Sequence, residues 1–292
     1  MQEKLENDMS LNNPKISIGI PVYNGEKFIR KCIESILEQT NRNFELIISD
    51  NASTDSTPDI CQEFSIKDSR IKFVRQDENM GQNWNYNFLL EKAIGKYFVW
   101  VAADTIILPD FIEKSINLLE SEKKIVGCIS KIRIDQNYVD KFKKEKQILK
   151  KFGLVYRPYD TLPITGNYTE RIRKYLEHFP WEMFYAVYRT RQLRESFVQD
   201  FFVGSDASLV LNLLRHGEIQ VINEFLIESF PFGGSFTYKY YKDFMPFYPL
   251  TKWCIDNLGW RIFFRNIDHF FRLSLDGMII QFTSIYKNLK KI

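Results

Sequence analysis

Between Ile16 and Asp50 the chain reads ISIGIPVYNGEKFIRKCIESILEQTNRNFELIISD. Ile16 to Val22 (ISIGIPV) is an apolar run bounded by polar residues, the pattern of a strand buried on both faces. From Glu26 to Glu38 the period becomes helical, with Phe28, Ile29, Ile33, Ile36 and Leu37 turned to one side. Phe44 to Ser49 (FELIIS) reads as a second strand. Strand, amphipathic helix and strand in this order form a βαβ unit, which implies parallel pairing under a covering helix.

The alternation continues outward. Thr57-Pro58 reads as an N-cap with Pro at the first helical position, opening a helix to about Ile66. Ile71 to Arg75 is a third strand, Asn83 to Ala93 a helix, and Tyr97 to Ala103 (YFVWVAA) a fourth strand. Pro109 begins a helix to about Glu120, and Ile125 to Ile134 is a fifth strand. The spacing then predicts a helix near Thr169 to His178, a strand Met183 to Tyr188 and a helix Asp206 to His216. Two short strands, Ile219 to Ile222 and Phe225 to Phe230, follow. The fold class expected is α/β, with a mostly parallel central sheet flanked by helices.

The 292 residues suit one large domain or two small ones, and 45% hydrophobic with 26% charged residues is the balance of a globular protein. No apolar run approaches the ~18 residues of a membrane span. The opening MQEKLENDMSLNNP lacks the basic start and apolar stretch of a signal peptide, so the expected location is cytoplasmic. A leader over 1–14 is expected to be disordered. The pattern breaks at Asp135, where KFKKEKQILKK carries six Lys against one Glu, read as a solvated insertion or a contact for an anionic partner. The net charge of +3 is too small to argue for nucleic acid. Four scattered cysteines and three scattered histidines leave a zinc site or a Ser-His-Asp hydrolase little to build on, and the cysteines read as buried thiols.

Composition shifts again at the C-terminal end. From Phe236 to Ile292 there are nine Lys or Arg, four Asp and no Glu, with 15 of the 45 aromatics. The organisation expected is therefore a domain over 15–235, divided at 134/135 where the pattern breaks, and a helical segment over 236–292. From Trp260 the apolar residues Phe263, Phe264, Ile267, Phe270, Phe271, Leu275, Met278, Phe282, Ile285, Tyr286 and Leu289 follow helical spacing, with Arg261, Arg265, Arg272 and Lys287 elsewhere on the wheel. Such a stripe packs on the catalytic domain or a twin subunit as a homodimer, or lies on an anionic membrane surface at the inner face. The sequence leaves these open.

Ligands of open α/β sheets bind beyond the carboxyl ends of the strands. The first strand runs into Tyr23-Asn24-Gly25, the second into Asp50-Asn51 and the fourth into Asp104. Each has a local explanation: an Asx-turn at Asp50 or Asn51, a helix cap at Asp104. Two carboxylates, a ring and amides converging on one edge point instead to a cleft. No GxGxxG or GxxxxGK[ST] follows the first strand, so neither dinucleotide nor P-loop recognition applies. A diphosphate here needs another means of neutralisation, and a divalent cation (Mn²⁺ or Mg²⁺) on a strand-end carboxylate supplies it.

PVYNGEKFIRKCIESILEQT followed by FELIISDNASTDST resembles the opening of family 2 glycosyltransferases, which have the GT-A nucleotide-diphospho-sugar fold. The likeness continues through Asn79-Met80-Gly81, Asn87 and Ala93-Ile94-Gly95-Lys96-Tyr97, and returns more weakly at MFYAVYRTRQL and GSDASLVLNLLRHGEI. It implies a catalytic domain over 15–235, with a nucleotide-binding half over 15–134 and an acceptor half over 135–235, and an inverting transfer of a sugar from a nucleotide-sugar donor to a glycan or lipid-linked acceptor. Pro21, Tyr23 and Asn24 would line the nucleobase pocket. Asp50 would accept a hydrogen bond from the base edge, with Asn51 beside it, and Gly81 would let the backbone approach the nucleotide. Asn83 and Asn87 share a face at i, i+4 and read as sugar or ribose contacts or as local caps. Ala103 and Asp104 fall among the donor-contacting positions.

Asp104 matches the last acidic position of the family's D-x-D motif, which binds the metal, but Ala102 replaces the first Asp and Thr105 an acidic residue often found next. This weakens the expected hold on free metal and keeps a second reading open, a sugar-nucleotide-binding subunit without turnover. Asp206 matches the catalytic base, which takes the acceptor hydroxyl's proton, or else caps its helix. Its place at a helix N-terminus predicts a lowered pKa. Gly233, Gly234 and Ser235 would offer amides to phosphate. The QxxRW motif and membrane helices of the family's processive synthases are missing, which favours single addition.

Overall fold

The computed structural model describes residues 14–134, 161–200, 202, 204–230 and 247–275. Among these, β1 (Ile16–Val22), β2 (Phe44–Asp50), β3 (Ile71–Arg75) and β6 (Ile125–Ile134) occupy the stretches expected for them. The helices α1 (Ile29–Leu37), α2 (Thr57–Lys67), α3 (Gln82–Lys92) and α4 (Phe111–Ser121) connect the strands of the first half. β4 (Tyr97–Trp100) is shorter than expected, because the chain turns at Ala102, whose carbonyl accepts the Thr105 amide at 3.0 Å. A short strand β5 (Thr105–Ile107), absent from the sequence reading, follows. With that strand in between, Asp104 does not cap α4, which opens at Phe111.

The second half holds α5 (Tyr168–His178), a 3₁₀ turn (Trp181–Tyr185), β7 (Val187–Arg189), α6 (Thr190–Ser196), α7 (Ser205–Leu213), β8 (Glu218–Ser229), α8 (Tyr248–Leu258) and α9 (Trp260–Arg265). Where a strand over Met183 to Tyr188 was expected, residues 181–185 wind into the 3₁₀ turn. The Ala186 amide donates back to the Met183 carbonyl at 3.2 Å, and the Tyr188 hydroxyl donates to the same oxygen. The two strands expected after Ile219 are one, β8. It loses register where Ser130 faces Ile222 and Lys131 faces Phe225, a bulge that puts polar Asn223 and Glu224 mid-strand. Thr57 is the first residue of α2, not its cap; its hydroxyl accepts from Gly25 N–H at 2.8 Å and donates to Asp55 at 2.5 Å.

The eight described strands form one sheet in the order β3-β2-β1-β4-β7-β6-β8-β5. Pairing is parallel through β3, β2, β1 and β4, and again between β6 and β8. It is antiparallel where β7 joins β4 to β6 and where β5 pairs β8. β1 and β2 are buried on both faces, as central parallel strands covered by helices should be. One hydrophobic core runs through both halves and takes in Leu250, Cys254, Phe270 and Leu273 from the C-terminal helices. The segment boundary expected at 235/236, the lysine-rich 141–151 stretch, Gly233 to Ser235 and the apolar positions beyond 275 lie outside the described residues.

Candidate functional site

The parallel register puts Val22 opposite Asp50 and Gly19 opposite Trp100, so β1, β2 and β4 end on one edge. Neighbouring strands lie ~4.8 Å apart, which confines the three strand ends to a rim about 10 Å across. Tyr23 stands on this rim with half its surface exposed (50%). Asn24 is exposed and Pro21 partly so. A Cβ on Gly25 would lie 3.6 Å from the Ala103 Cβ, so the turns after β1 and β4 meet directly.

Hydrogen bonds tie the turn after β1 to the turn after β2. Asn24 N–H donates to the Ser53 hydroxyl at 2.8 Å, and Thr54 N–H donates to Asn24 Oδ1 at 2.8 Å. Glu26 N–H donates to Asp55 at 3.1 Å, and Ser56 N–H donates to Glu26 at 3.1 Å. Asn24 (φ 53°) and Ala52 (φ 61°) are held in the left-handed region by this lattice. The loop-forming residues Ser53, Asp55 and Thr57 are thus part of the rim's framework. The STDST run signalled a capped turn in the sequence, but not its partner.

Asp50 is placed differently from expectation. It is fully buried (0%), its Oδ1 accepts from the Ser53 amide at 3.1 Å and from the Ser53 hydroxyl, and its Oδ2 pairs with the Arg75 guanidinium at 3.5 Å without a hydrogen bond. A carboxylate so enclosed shapes the turn. Asn51, also buried, accepts from Met80 N–H at 2.9 Å and donates to Asn79 at 2.8 Å and to the Gly81 carbonyl at 3.3 Å. It therefore clamps the turn that leads into α3. Gly81 has φ 88°, and a Cβ there meets nothing within 4 Å, so its backbone conformation, not crowding within the chain, calls for glycine.

Asn83 and Asn87 line an open depression of about 450 Å³ with Met80, Gly81, Gln82, Trp84 and Gln199, a lining that includes none of Tyr23, Asp104 and Asp206. Asn83 donates to the Gln199 carbonyl at 2.7 Å and Asn87 to Glu91 at 2.8 Å.

Asp104 is partly buried in the turn between β4 and β5, its carbonyl accepting the Phe230 amide at 3.0 Å. Asp206 sits in the first turn of α7, after Gly204. Two phenols not singled out in the sequence, Tyr86 of α3 and Tyr185 of the 3₁₀ turn, have hydroxyls 3.1 Å apart. Burial raises the pKa of both phenols, and the charges of both Asp104 and Asp206 raise each further. The two carboxylates, distant in the chain, therefore share one neighbourhood. Trp100 stacks on Phe184 at 4.8 Å and donates from its indole to the Tyr86 carbonyl, fixing this wall.

The lowered pKa expected for Asp206 is not found. The protein packed around it raises its carboxyl above the ordinary range, and the Ala207 amide, donating at 2.8 Å, opposes this without reversing it. The residue is nonetheless open to water, whose screening limits the rise. No group of three His, Cys, Asp or Glu able to hold a metal occurs among the described residues. Asp104 alone suits a cation that the diphosphate also ligates, as Mg²⁺ is commonly bound through one carboxylate and substrate phosphates.

A family model described as Glycosyl transferase family 2 matches residues 17–190. Glycosyltransferase GlyA of Streptococcus pneumoniae is 31% identical over 188 residues, 63% of this chain and 26% of its own length. Putative glycosyltransferase EpsH of Bacillus subtilis is 36% identical over 118 residues, 40% of this chain and 34% of its own. The chain thus spans about a quarter to a third of these relatives. Among solved structures, S. aureus TarS 1–349 in complex with UDP-GlcNAc superposes with a TM-score of 0.67 at 17% identity, over 89% of this chain and 73% of that one. Mannosyltransferase PcManGT from Pyrobaculum calidifontis, in complex with GDP-Man and Mn²⁺, gives 0.57 at 17% identity over 91% and 71%. The curled sheet flanked by helices is the GT-A architecture expected from the sequence.

Proposed function

The chain belongs to glycosyl transferase family 2, and from that premise we propose an inverting transfer of a sugar from a nucleotide-diphospho-sugar to a hydroxyl of a glycan or lipid-linked acceptor. The observation that carries this reading is the shared neighbourhood of Asp104 and Asp206 at the Tyr86–Tyr185 pair. One carboxylate lies at the strand-end rim, the other at the start of α7, so a donor and an acceptor would meet between them. TarS and PcManGT were solved with UDP-GlcNAc and GDP-Man, which favours a nucleoside diphosphate sugar as donor.

In the proposed reaction the acceptor oxygen attacks the anomeric carbon as Asp206 takes its proton, and the bond from that carbon to the diphosphate oxygen breaks on the opposite side. A raised pKa makes Asp206 a stronger base than an ordinary carboxylate, which suits the step. Asp104 would hold a divalent cation, whose charge stabilises the departing diphosphate. Tyr23 would lie against the nucleobase, with Pro21, Asn24, Gly81 and Ala103 around the nucleotide. Asn51 keeps that wall in place. Four free, buried cysteines agree with a reducing, cytoplasmic setting.

Asp104→Asn and Asp206→Asn are each expected to lower transfer by at least ~100-fold, the span of one general base or one charge-stabilising group. Full activity of both variants on the true acceptor would remove the assignment. Ala102, standing where a second carboxylate would strengthen the metal site, favours one other reading: a subunit that binds the sugar nucleotide without turnover. Calorimetry with UDP and GDP, with and without Mn²⁺, followed by assays of donor hydrolysis and transfer, separates the two. Binding with neither reaction selects the second.

A further inference from the structure

The C-terminal helices have two unlike faces. Inward, Asn266, His269, Phe270 and Leu273 are buried. The backbone here is pinned to α5: Arg173 donates to the Arg265 carbonyl at 3.0 Å, and Arg272 donates to the Leu176 carbonyl at 3.0 Å and that of Glu177 at 2.6 Å. Outward, Trp260 (58%), Phe264 (62%), Ile267 (49%) and Phe271 (72%) are exposed, at successive steps of four, three and four residues over α9 and the helical run 267–275. Packing on the catalytic body is thus satisfied by the buried face, and among the described residues nothing covers this stripe. Such a run of large apolar side chains in water is rare unless something covers it.

We propose that Trp260, Phe264, Ile267 and Phe271, with the exposed Arg261 and Arg265, seat the chain on an anionic lipid surface. The charges choose the occupant. Asp256 is paired with Lys252 at 2.5 Å and Asp268 with Arg173 at 3.5 Å, whereas the Arg261 and Arg265 guanidinium groups have no carboxylate partner among the described residues. The surface is therefore apolar and cationic. In a two-fold dimer the same patch meets itself, bringing arginines toward arginines. A leaflet with acidic headgroups takes the rings at its interface and the guanidiniums at its phosphates. Trp260 stacks on Phe264 with centroids 5.6 Å apart, a rigid wedge suited to that depth. The inference stands independently of the proposed transfer reaction.

Co-sedimentation of the full chain with vesicles tests it. Binding is expected to vesicles of phosphatidylcholine with added phosphatidylglycerol, to fall with salt, and to be far weaker on phosphatidylcholine alone. Phe264→Ser with Phe271→Ser is expected to weaken the partition by roughly tenfold or more. Arg261→Gln with Arg265→Gln should weaken it about fivefold per side chain and remove the preference for the acidic lipid. Melting temperatures matching the parent protein show that these exposed substitutions spare the fold. Absence of binding to the acidic vesicles, binding indifferent to both variants, or a dimer in sedimentation velocity that Phe264→Ser dissolves would each overturn the proposal.

Discussion

At Asp206 two local influences oppose each other, and crowding by protein prevails over the amide at the helix start. The consequence for stability has a definite sign. With a folded pKa above the unfolded one, the ionised carboxylate is a liability at neutral pH that protonation relieves as pH falls through the folded value. Asp206→Asn should therefore melt at a higher temperature than the parent protein near neutral pH, with the difference shrinking in acid, while transfer is lost. The acid limb of the parent's pH–rate profile should lie above the usual carboxylate range. Asn51 gives a contrasting residue-level expectation. Asn51→Ala strips partners from the Met80 amide and the Gly81 carbonyl and should cost about 1–2 kcal/mol in urea unfolding. If the donor binds as proposed, it should raise the donor KM more than it lowers kcat, because it loosens the turn at Gly81 and leaves Asp206 untouched. The places of Tyr23 after β1, Asp104 after β4 and Asp206 in the first turn of α7 were legible because strand ends and a helix start announce themselves in sequence. The burial of Asp50 was not, since it depends on Ser53 and Arg75 folding over it. Tyr86 and Tyr185 look in sequence like any core aromatic.

Among the elements, legibility tracked length and burial. β1 and β2 were found because buried parallel strands leave unbroken apolar runs, and β6 because its first half does; β3, half-exposed at the sheet's edge, showed itself only through Ile71, Phe73 and Val74. The three-residue β5 and β7 carry too few residues to show a period, and their place is set by partners far away in the chain. β8 was read as two strands because its bulge inserts polar residues mid-run. The entry to α7 deserves its own test. Gly204 has φ 96°, and a Cβ there would lie 3.0 Å from the Leu250 Cβ of α8. Gly204→Ala should cost about 1–3 kcal/mol through backbone strain, read from the urea midpoint, and should lower kcat by shifting Asp206. Restoring space with Leu250→Ala would not recover the loss that φ imposes.

Across the whole molecule, both halves share one core, and all four thiols lie within it. Burial pushes Cys61 and Cys128 up to about 12, and Cys32 and Cys254 are raised as well. Native protein should therefore resist a thiol reagent at neutral pH, and all four groups should react together once urea crosses the unfolding transition; stepwise labelling in native buffer would show that the halves open separately. No helix among the described residues is long and apolar enough to cross a membrane. The lattice joining the turns after β1 and β2 has a different kind of consequence. Loops at a rim ordinarily breathe, but here the amides of Asn24, Glu26, Thr54 and Ser56 are each locked to a side chain of the opposite turn. Their deuterium uptake should follow the slow clock of the sheet rather than the fast one of surface loops, so a nucleotide bound at the rim as proposed would find its berth already rigid and have little left to freeze.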